Sequence, residues 1–168
     1  MGQLVSGRAW KFGDNISTDE ISPGRFKSLR SNLPELAKHT LEDARSEFPS
    51  SVKPGDFVVA GKNFGMGSSR EQAPLVIKML GVRAVLATSF ARIFYRNAIN
   101  IGLPAVVVNT DVVSEGDQLE LDLSGGMVLN KTTGQELVFP RMSKTMEAIL
   151  NEGGLLAYVE KYGDLLLA

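Results

Sequence analysis

The stretch from Gly61 to Glu71 combines the residue types that bind a small anion. Its sequence is GKNFGMGSSRE, and it follows an apolar segment, residues 56–60, that is predicted to be a strand. Glycine lets a ligand approach the backbone closely because it has no Cβ. The hydroxyls of Ser68 and Ser69 can donate hydrogen bonds, and the planar guanidinium of Arg70 matches a carboxylate. The pattern predicts a binding site for a small polycarboxylate where a strand leads into a helix.

Ser68 and Glu71 also match a helix capping box, in which a serine precedes a glutamate by three residues. In that interpretation Ser68 accepts a hydrogen bond from a backbone amide and has no chemical role. Pro74 affects both interpretations, because a proline inside a helix removes a hydrogen bond. We therefore expect an irregular turn over residues 69–73 and regular helix from Pro74. Such a turn leaves backbone amides free at a helix entrance, where anions are stabilised.

Length and composition indicate one globular domain covering residues 1–168. The chain is 43% apolar and has a net charge of −1, so it presents no large basic field to nucleic acid or a membrane surface. We expect neither as a partner. No apolar run approaches the roughly 20 residues of a membrane-spanning helix. The first residues lack the pattern of a signal peptide, so we expect a cytoplasmic protein.

The chain contains no cysteine and a single histidine, His39. The lack of cysteine excludes disulfides, thiolate metal sites and an iron–sulfur cluster ligated by this chain. One histidine cannot form a histidine-rich metal site, and His39 lies in a polar segment typical of a helix surface. We expect no metal ion or other cofactor to be bound by this chain.

Hydrophobic patterning predicts an α/β fold with a partly parallel sheet flanked by helices. Short apolar runs alternate with helical segments between residues 56 and 108, which favours right-handed crossovers and parallel strands. The predicted order is strand 56–60, helix to Leu80, strand 83–88, helix 90–99 and strand 104–108.

The remaining segments add strands and helices around this unit. Residues 5–12 are predicted to form a strand, and residues 33–47 one or two short helices. Alternating polarity around glycine turns predicts additional antiparallel strands at 118–123, 127–130 and 136–139. Two helices are predicted at 144–150 and 154–161.

Three segments resemble the landmarks of the aconitase swivel-domain family. They are GMGSSRE at 65–71, followed by Ala73 and Pro74; WKFGDNISTD at 10–19; and SFARIFYRN at 89–97. The chain length matches that of the free-standing small subunits of the 3-isopropylmalate dehydratase and homoaconitase type. The resemblance extends over residues 5–160 and implies a swivelling β/β/α domain.

The resemblance also implies a hydro-lyase that moves water across a double bond in a hydroxy acid. In this family a separate large subunit carries a [4Fe–4S] cluster, with which the chain would form a heterodimer or heterotetramer. The leading substrate is 3-isopropylmalate; homoaconitate and 2,3-dimethylmalate are alternatives. The alternative to an enzyme is a non-catalytic module that binds a carboxylate or phosphate at the glycine loop.

Residue roles follow from the same resemblance. Ser68 matches the serine that acts as an alkoxide base, and Asp19 is assigned with it to the catalytic residues. The substrate-binding positions correspond to Thr18, Ser22, Ser69 and Arg70. A serine alkoxide forms only in a strongly positive, dry site, so part of the required field must come from the partner chain.

The loop that selects the substrate in this family follows Gly24. Leu29 is suited to an alkyl substituent, whereas Arg30 is suited to an additional carboxylate, and the sequence does not decide between them. Met66 and Gln72 replace the cysteine and histidine that are common in the family. Arg92 and Arg96 lie four residues apart on a predicted helix, and we expect them to form structural ion pairs.

Overall fold

The computed structural model describes residues 5–163 and contains a mixed seven-stranded sheet in the order β4-β3-β2-β1-β5-β6-β7. This confirms the predicted α/β class with a partly parallel sheet and additional antiparallel strands. The strands are β1 Val5–Lys11, β2 Phe57–Ala60, β3 Ala84–Ala87, β4 Ala105–Val107, β5 Gln118–Asp122, β6 Met127–Asn130 and β7 Glu136–Val138.

Seven helices flank the sheet among the described residues. They are α1 Thr18–Ile21, α2 Leu33–Ala37, α3 Phe48–Ser51, α4 Gln72–Met79, α5 Arg92–Asn100, α6 Lys144–Asn151 and α7 Leu155–Tyr162. None of the helices within residues 5–163 has the length and apolar character needed to cross a bilayer.

Strand β1 joins the parallel and antiparallel halves of the sheet. Its residues 9–11 pair in parallel with β2, whereas its residues 5–8 pair antiparallel with β5. The parallel half continues from β2 through β3 to β4. Because parallel strands end at the same edge, the loops after β1, β2 and β3 are brought together there.

One continuous core runs through the sheet, and the part of it that positions the site lies between the parallel strands and helices α4 and α5. Every residue of β2 and β3 is buried, as expected for strands covered on both faces. Helix α4 contributes Val76 and Ile77, and α5 contributes Phe94 and Ala98. Burying a valine, isoleucine or phenylalanine side chain stabilises the fold by about 1.5–3 kcal/mol, so this packing holds both helices firmly against the sheet.

The start of α4 differs from the expectation drawn from Pro74. The helix begins at Gln72, so Pro74 is its third residue, and the irregular segment ends at Glu71. A proline is tolerated there because the first amides of a helix have no partner within the helix. The prediction of regular helix only from Pro74 is therefore wrong by two residues.

Candidate functional site

The three sequence landmarks meet at the edge where the parallel strands end. Single bridges connect Ser17 with Met66 and Phe64 with Phe90, so the loop after β2 lies between the loops after β1 and β3. The amide of Gly65 donates to the carbonyl of Ile16 at 2.7 Å. Backbone hydrogen bonds thus fix the glycine loop on both sides.

Glycine is required at position 65 for two reasons. Its φ is +84°, a left-handed conformation that L-residues rarely adopt. A Cβ at this position would lie 2.3 Å from Cγ of Phe94 on α5. The loop can therefore pack directly on α5 only because residue 65 lacks a side chain.

The backbone amides of residues 67–71 form no hydrogen bond to any other described residue. Glu71 is the N-cap of α4, and no side chain caps this helix end. The capping-box interpretation of Ser68 and Glu71 is therefore wrong. The capping box occurs instead at α1, where Ser17 and Glu20 exchange hydrogen bonds of 3.1 Å. The exposed segment around Ser68 and Ser69 is left with unpaired donors, the arrangement expected of an anion-binding loop.

Thr18 holds the backbone of the glycine loop in position. Its buried hydroxyl donates to the carbonyl of Ser68 at 2.8 Å, and its amide donates to the carbonyl of Met66 at 2.9 Å. Both hydrogen bonds that Thr18 donates go to main-chain carbonyls of the glycine loop. The structure thus gives Thr18 a role in orienting the loop and leaves the Ser68 hydroxyl at the surface.

Arg70 is oriented by the segment that follows β1. Its Nη1 donates to Oδ1 of Asp19 at 3.0 Å and to the carbonyl of Ser22 at 2.7 Å. Oδ1 of Asp19 also accepts the amide of Gly24 at 3.0 Å. The Arg70 side chain is 18% exposed and that of Asp19 is 66% exposed. Nη1 donates both of these Arg70 hydrogen bonds. The Nη2 and Nε donors of the guanidinium are therefore available to a carboxylate.

Thr18, Ser68, Ser69 and Arg70 line a cavity of about 210 Å³, whereas Asp19 and Ser22 lie behind Arg70 and are not part of its lining. None of its lining residues carries a carboxylate, while Arg70 and Arg92 each carry a guanidinium. Asp19 pairs with Arg70 from outside the lining, so Arg92 is the cavity's cation without an acidic partner among residues 5–163, and the lining favours an anion. The cavity is lined by Thr18, Gly65, Gly67, Ser68, Ser69, Arg70, Ala91, Arg92, Ile93, Phe94 and Asn97.

Leu29 and Arg30 do not line this cavity. Residues 24–29 form a 3₁₀ segment in which Leu29 is half-buried against the core, and Arg30 follows it as an exposed residue. The assignment of both to the substrate therefore stays a prediction for the assembled enzyme.

The 24–29 segment is attached to the body of the protein by polar and aromatic contacts. Arg25 binds Glu42 at 2.7 Å and Asp43 at 2.6 Å, and the ring of Phe26 stacks on His39 at 3.8 Å. The hydrogen bond from Arg25 lowers the pKa of the Asp43 carboxyl. His39 thus has a packing role in this structure.

Sequence reasoning missed the wall that α5 contributes to the cavity. Ile93 and Asn97 lie one turn apart on the same side of the helix, and both face the cavity with Arg92. Within residues 5–163, neither Arg92 nor Arg96 forms the expected ion pair. The four-residue spacing of Arg92 and Arg96 indicated that both lie on one face of a helix. It did not indicate that this face borders a cavity.

The described residues contain no group of three or more histidine, cysteine, aspartate or glutamate side chains placed to hold a metal ion. The donors around the cavity are amides, hydroxyls and guanidinium groups. Such donors suit an anion, whereas iron–sulfur clusters are held by thiolates. The residues that line this cavity therefore do not fit a cluster.

Comparison with known proteins gives consistent similarities along the chain. The Aconitase C-terminal domain family matches residues 31–110. The 3-isopropylmalate dehydratase small subunit 2 of Archaeoglobus fulgidus is 61% identical over 159 residues, which cover 95% of this chain and 96% of the relative. The homoaconitase small subunit of Methanothermobacter thermautotrophicus is 51% identical over 98% of this chain and 95% of the relative.

A solved structure supports the same relationship. The 3-isopropylmalate dehydratase structure from Methanocaldococcus jannaschii superimposes with a TM-score of 0.90 at 44% identity. The match covers 96% of both chains. These similarities confirm the resemblance inferred from the three sequence landmarks.

Proposed function

The chain belongs to the family of 3-isopropylmalate dehydratase small subunits, and we propose that it supplies the substrate-clamping and proton-transferring half of a two-subunit hydro-lyase. The proposed substrate is 3-isopropylmalate. The observation that carries the proposal is the cavity that Ser68, Arg70 and the loop residues 67–70, whose amides have no partner among the described residues, line without a carboxylate.

Ser68 is proposed as the base. In dehydration its alkoxide removes a proton from the carbon next to a substrate carboxylate and becomes a neutral hydroxyl. The electron pair of the C–H bond forms the double bond as the C–O bond on the adjacent carbon breaks. The hydroxyl group leaves as hydroxide with the electron pair of the C–O bond, so the elements of water end as the Ser68 hydroxyl proton and this hydroxide. When water is added back in the opposite orientation, the hydroxyl group bonds to the carbon that lost the proton. The Ser68 hydroxyl then returns its proton to the carbon that lost the hydroxyl group.

The environment of Ser68 supports this role. A serine hydroxyl ionises only where positive charge and hydrogen-bond donors stabilise its alkoxide and where water is excluded. The neighbouring amides and Arg70 supply donors and charge. The exposed position of Ser68 means that exclusion of water must come from a second body covering the cavity.

Arg70 is proposed to bind a substrate carboxylate through the part of its guanidinium that Asp19 and Ser22 leave free. Asp19 acts on the reaction by orienting Arg70 and the start of the 24–29 segment. Ser69 and the amides of the loop complete the carboxylate contacts.

The large subunit is proposed to carry a [4Fe–4S] cluster. When bound there, the cluster supplies Lewis acidity toward the hydroxyl and a carboxylate of the substrate. The assembly is proposed to be a cytoplasmic heterodimer or heterotetramer of small and large subunits.

Homoaconitate is the second candidate substrate. A homoaconitase small subunit shares 51% identity with this chain, and Arg30 is an exposed cation on the segment after Gly24. An additional carboxylate would pair with Arg30, whereas an alkyl substituent would contact Leu29. A dimethylmalate-type acid would use the same apolar contact.

Substrate profiling of the chain reconstituted with its large subunit tests the proposal. We expect turnover of 3-isopropylmalate and little turnover of homoaconitate, and Arg30→Ala to spare the former. Preferred turnover of homoaconitate that Arg30→Ala removes would replace the proposed substrate with the second candidate. A complex that binds carboxylates but turns over none of these acids would indicate the non-catalytic binding module.

A further inference from the structure

Helix α5 presents an exposed ridge formed by Arg92, Ile93 and Arg96. The three side chains fall on one side of the helix, opposite the buried Phe94 and Ala98. Ile93 is 53% exposed and lies at the wall of the Ser68 cavity. The α5 ridge therefore combines an exposed apolar centre with two cationic groups.

The two arginines of the α5 ridge lack acidic partners among the described residues, although the chain has 18 basic and 19 acidic side chains. By contrast, the exposed Arg25 binds Glu42 and Asp43. Arg92 and Arg96 thus place two positive charges without an acidic partner among residues 5–163 one turn apart on α5. A surface with complementary carboxylates would neutralise them.

The α5 ridge separates two concave surfaces. On one side lies the Ser68 cavity, to which Arg92 and Ile93 contribute part of the wall. On the other side lies a groove of about 280 Å³ between α5 and α6, which also includes Arg92. The groove is lined by Arg92, Tyr95, Arg96, Ile99, Asn100, Met146 and Ile149. Burial raises the pKa of the Tyr95 phenol, so this group stays neutral and can donate a hydrogen bond in the groove.

We propose that the α5 ridge is a docking surface for the large subunit, which places carboxylates on Arg92 and Arg96 and an apolar side chain on Ile93. This inference rests on the proposed function, because the Ser68 cavity must be covered by a body that excludes water. Any body closing the cavity on the α5 side meets Arg92 and Ile93, since both belong to its wall. Carboxylates on that body match the unpaired arginines.

Affinity measurement with ridge variants tests the proposal. The probe is the purified large subunit encoded in the same genome, and Kd is measured without substrate by biolayer interferometry. We expect Ile93→Asp to raise Kd at least about thirtyfold, as for a central apolar interface residue. The double variant Arg92→Glu and Arg96→Glu should raise Kd comparably and weaken the dependence of the association rate on salt.

Matched controls use exposed residues at the far edge of the sheet. Val138 is 77% exposed on β7, and Lys131 is an exposed lysine in the turn after β6. Val138→Asp and Lys131→Glu introduce the same kinds of charge change and should leave Kd within about threefold. Thermal unfolding of every variant verifies that the chain is folded before binding is measured.

An unchanged Kd for folded Ile93→Asp and for the double arginine variant would overturn the docking surface. If turnover then fell with Kd unchanged, the ridge would act in catalysis and the proposed function would stand. If the variants instead disrupted self-association of this chain while binding the large subunit normally, the occupant would be a second copy. Failure of the wild-type chain to bind the large subunit would overturn both proposals.

Discussion

The loops of the parallel and antiparallel halves use similar residues for different purposes. In the antiparallel half, Asn130 accepts the amides of Thr132 and Thr133 at 3.1 and 3.3 Å, so its side chain stabilises its own turn. In the parallel half, the amides of residues 67–71 have no such partner among the described residues. Polar groups that a turn does not use are the ones available to a ligand.

The two halves of the sheet also differ in how far their polar side chains are buried. Asp117 and Asn130 form a buried hydrogen bond of 2.8 Å that satisfies both side chains locally. The Ser68 cavity is open and its serines are exposed. We therefore expect substitutions in the antiparallel turns to change stability and substitutions at the glycine loop to change turnover.

The largest expected effect is that of Ser68→Ala on turnover. Loss of a positioned base should lower turnover by the assembled enzyme at least about a hundredfold. The free energy of unfolding should change by no more than about 0.5 kcal/mol, because Ser68 is exposed and caps no helix. The control is Ser124→Ala, which removes a hydroxyl bonded to Asp122 in an antiparallel turn and should leave turnover unchanged. Nearly normal turnover by Ser68→Ala would exclude Ser68 as the base.

Arg70→Lys is expected to lower turnover or substrate binding by about ten- to a hundredfold. Lysine keeps the charge but lacks the planar fork that binds a carboxylate through two hydrogen bonds. Steady-state kinetics of the assembled enzyme measure the effect. Arg45→Lys is the matched control, because Arg45 pairs with Glu47 away from the cavity. Normal kinetics for Arg70→Lys would show that the shape of the guanidinium is not used.

Gly65→Ala should be more destabilising than Gly116→Ala by about 1–3 kcal/mol, the usual cost of overpacking. Both glycines have nearly the same φ, +84° and +85°. Only at Gly65 does the added Cβ meet another residue, Phe94, whereas Gly116 has nothing within 4 Å. Denaturant unfolding of the two variants measures the difference. Equal stabilities would mean that the loop does not pack on α5 as described.

Asn130→Ala should lower the free energy of unfolding by about 1–3 kcal/mol, because it leaves buried Asp117 without one partner. Turnover per folded, assembled enzyme should be unchanged. Asn109 accepts the amide of Asp111 in the same manner but is exposed, so Asn109→Ala should cost less. Chemical denaturation and kinetics measured on the same samples separate the two properties. A loss of turnover without loss of stability would contradict the division between the two halves.

The sequence was sufficient for the order of the seven strands and of helices α2 and α4–α7, because buried strands and amphipathic helices leave local patterns. The one-turn helices α1 and α3 were not predicted, because four residues are too few to show a helical period. The sequence was insufficient to predict local structure where two segments carry the same capping-box spacing. Ser17 and Glu20 have the same spacing as Ser68 and Glu71, yet only the first pair forms a capping box. The outcome depends on how each loop is held by its neighbours, which local spacing does not encode.

The cavity wall formed by α5 illustrates a second limit. The sequence places Arg92, Arg96 and Ile93 on a helix, but periodicity does not tell whether a face is covered by the chain or left to another molecule. The grouping of Thr18, Ser68 and Arg70 was anticipated through the family resemblance. Their hydrogen bonds, and the separation of Leu29 and Arg30 from the cavity, required the three-dimensional structure.

The central claim is that this chain carries one half of an active site, and titration of the large subunit with it tests that claim most directly. Formation of the product double bond from 3-isopropylmalate is followed by absorbance as the chain is added to a fixed amount of cluster-loaded large subunit. We predict no turnover by either subunit alone and a rate that rises with added chain until it saturates when the complex is full. Turnover by this chain alone, or a saturated complex without activity toward any of the three candidate acids, would contradict the account.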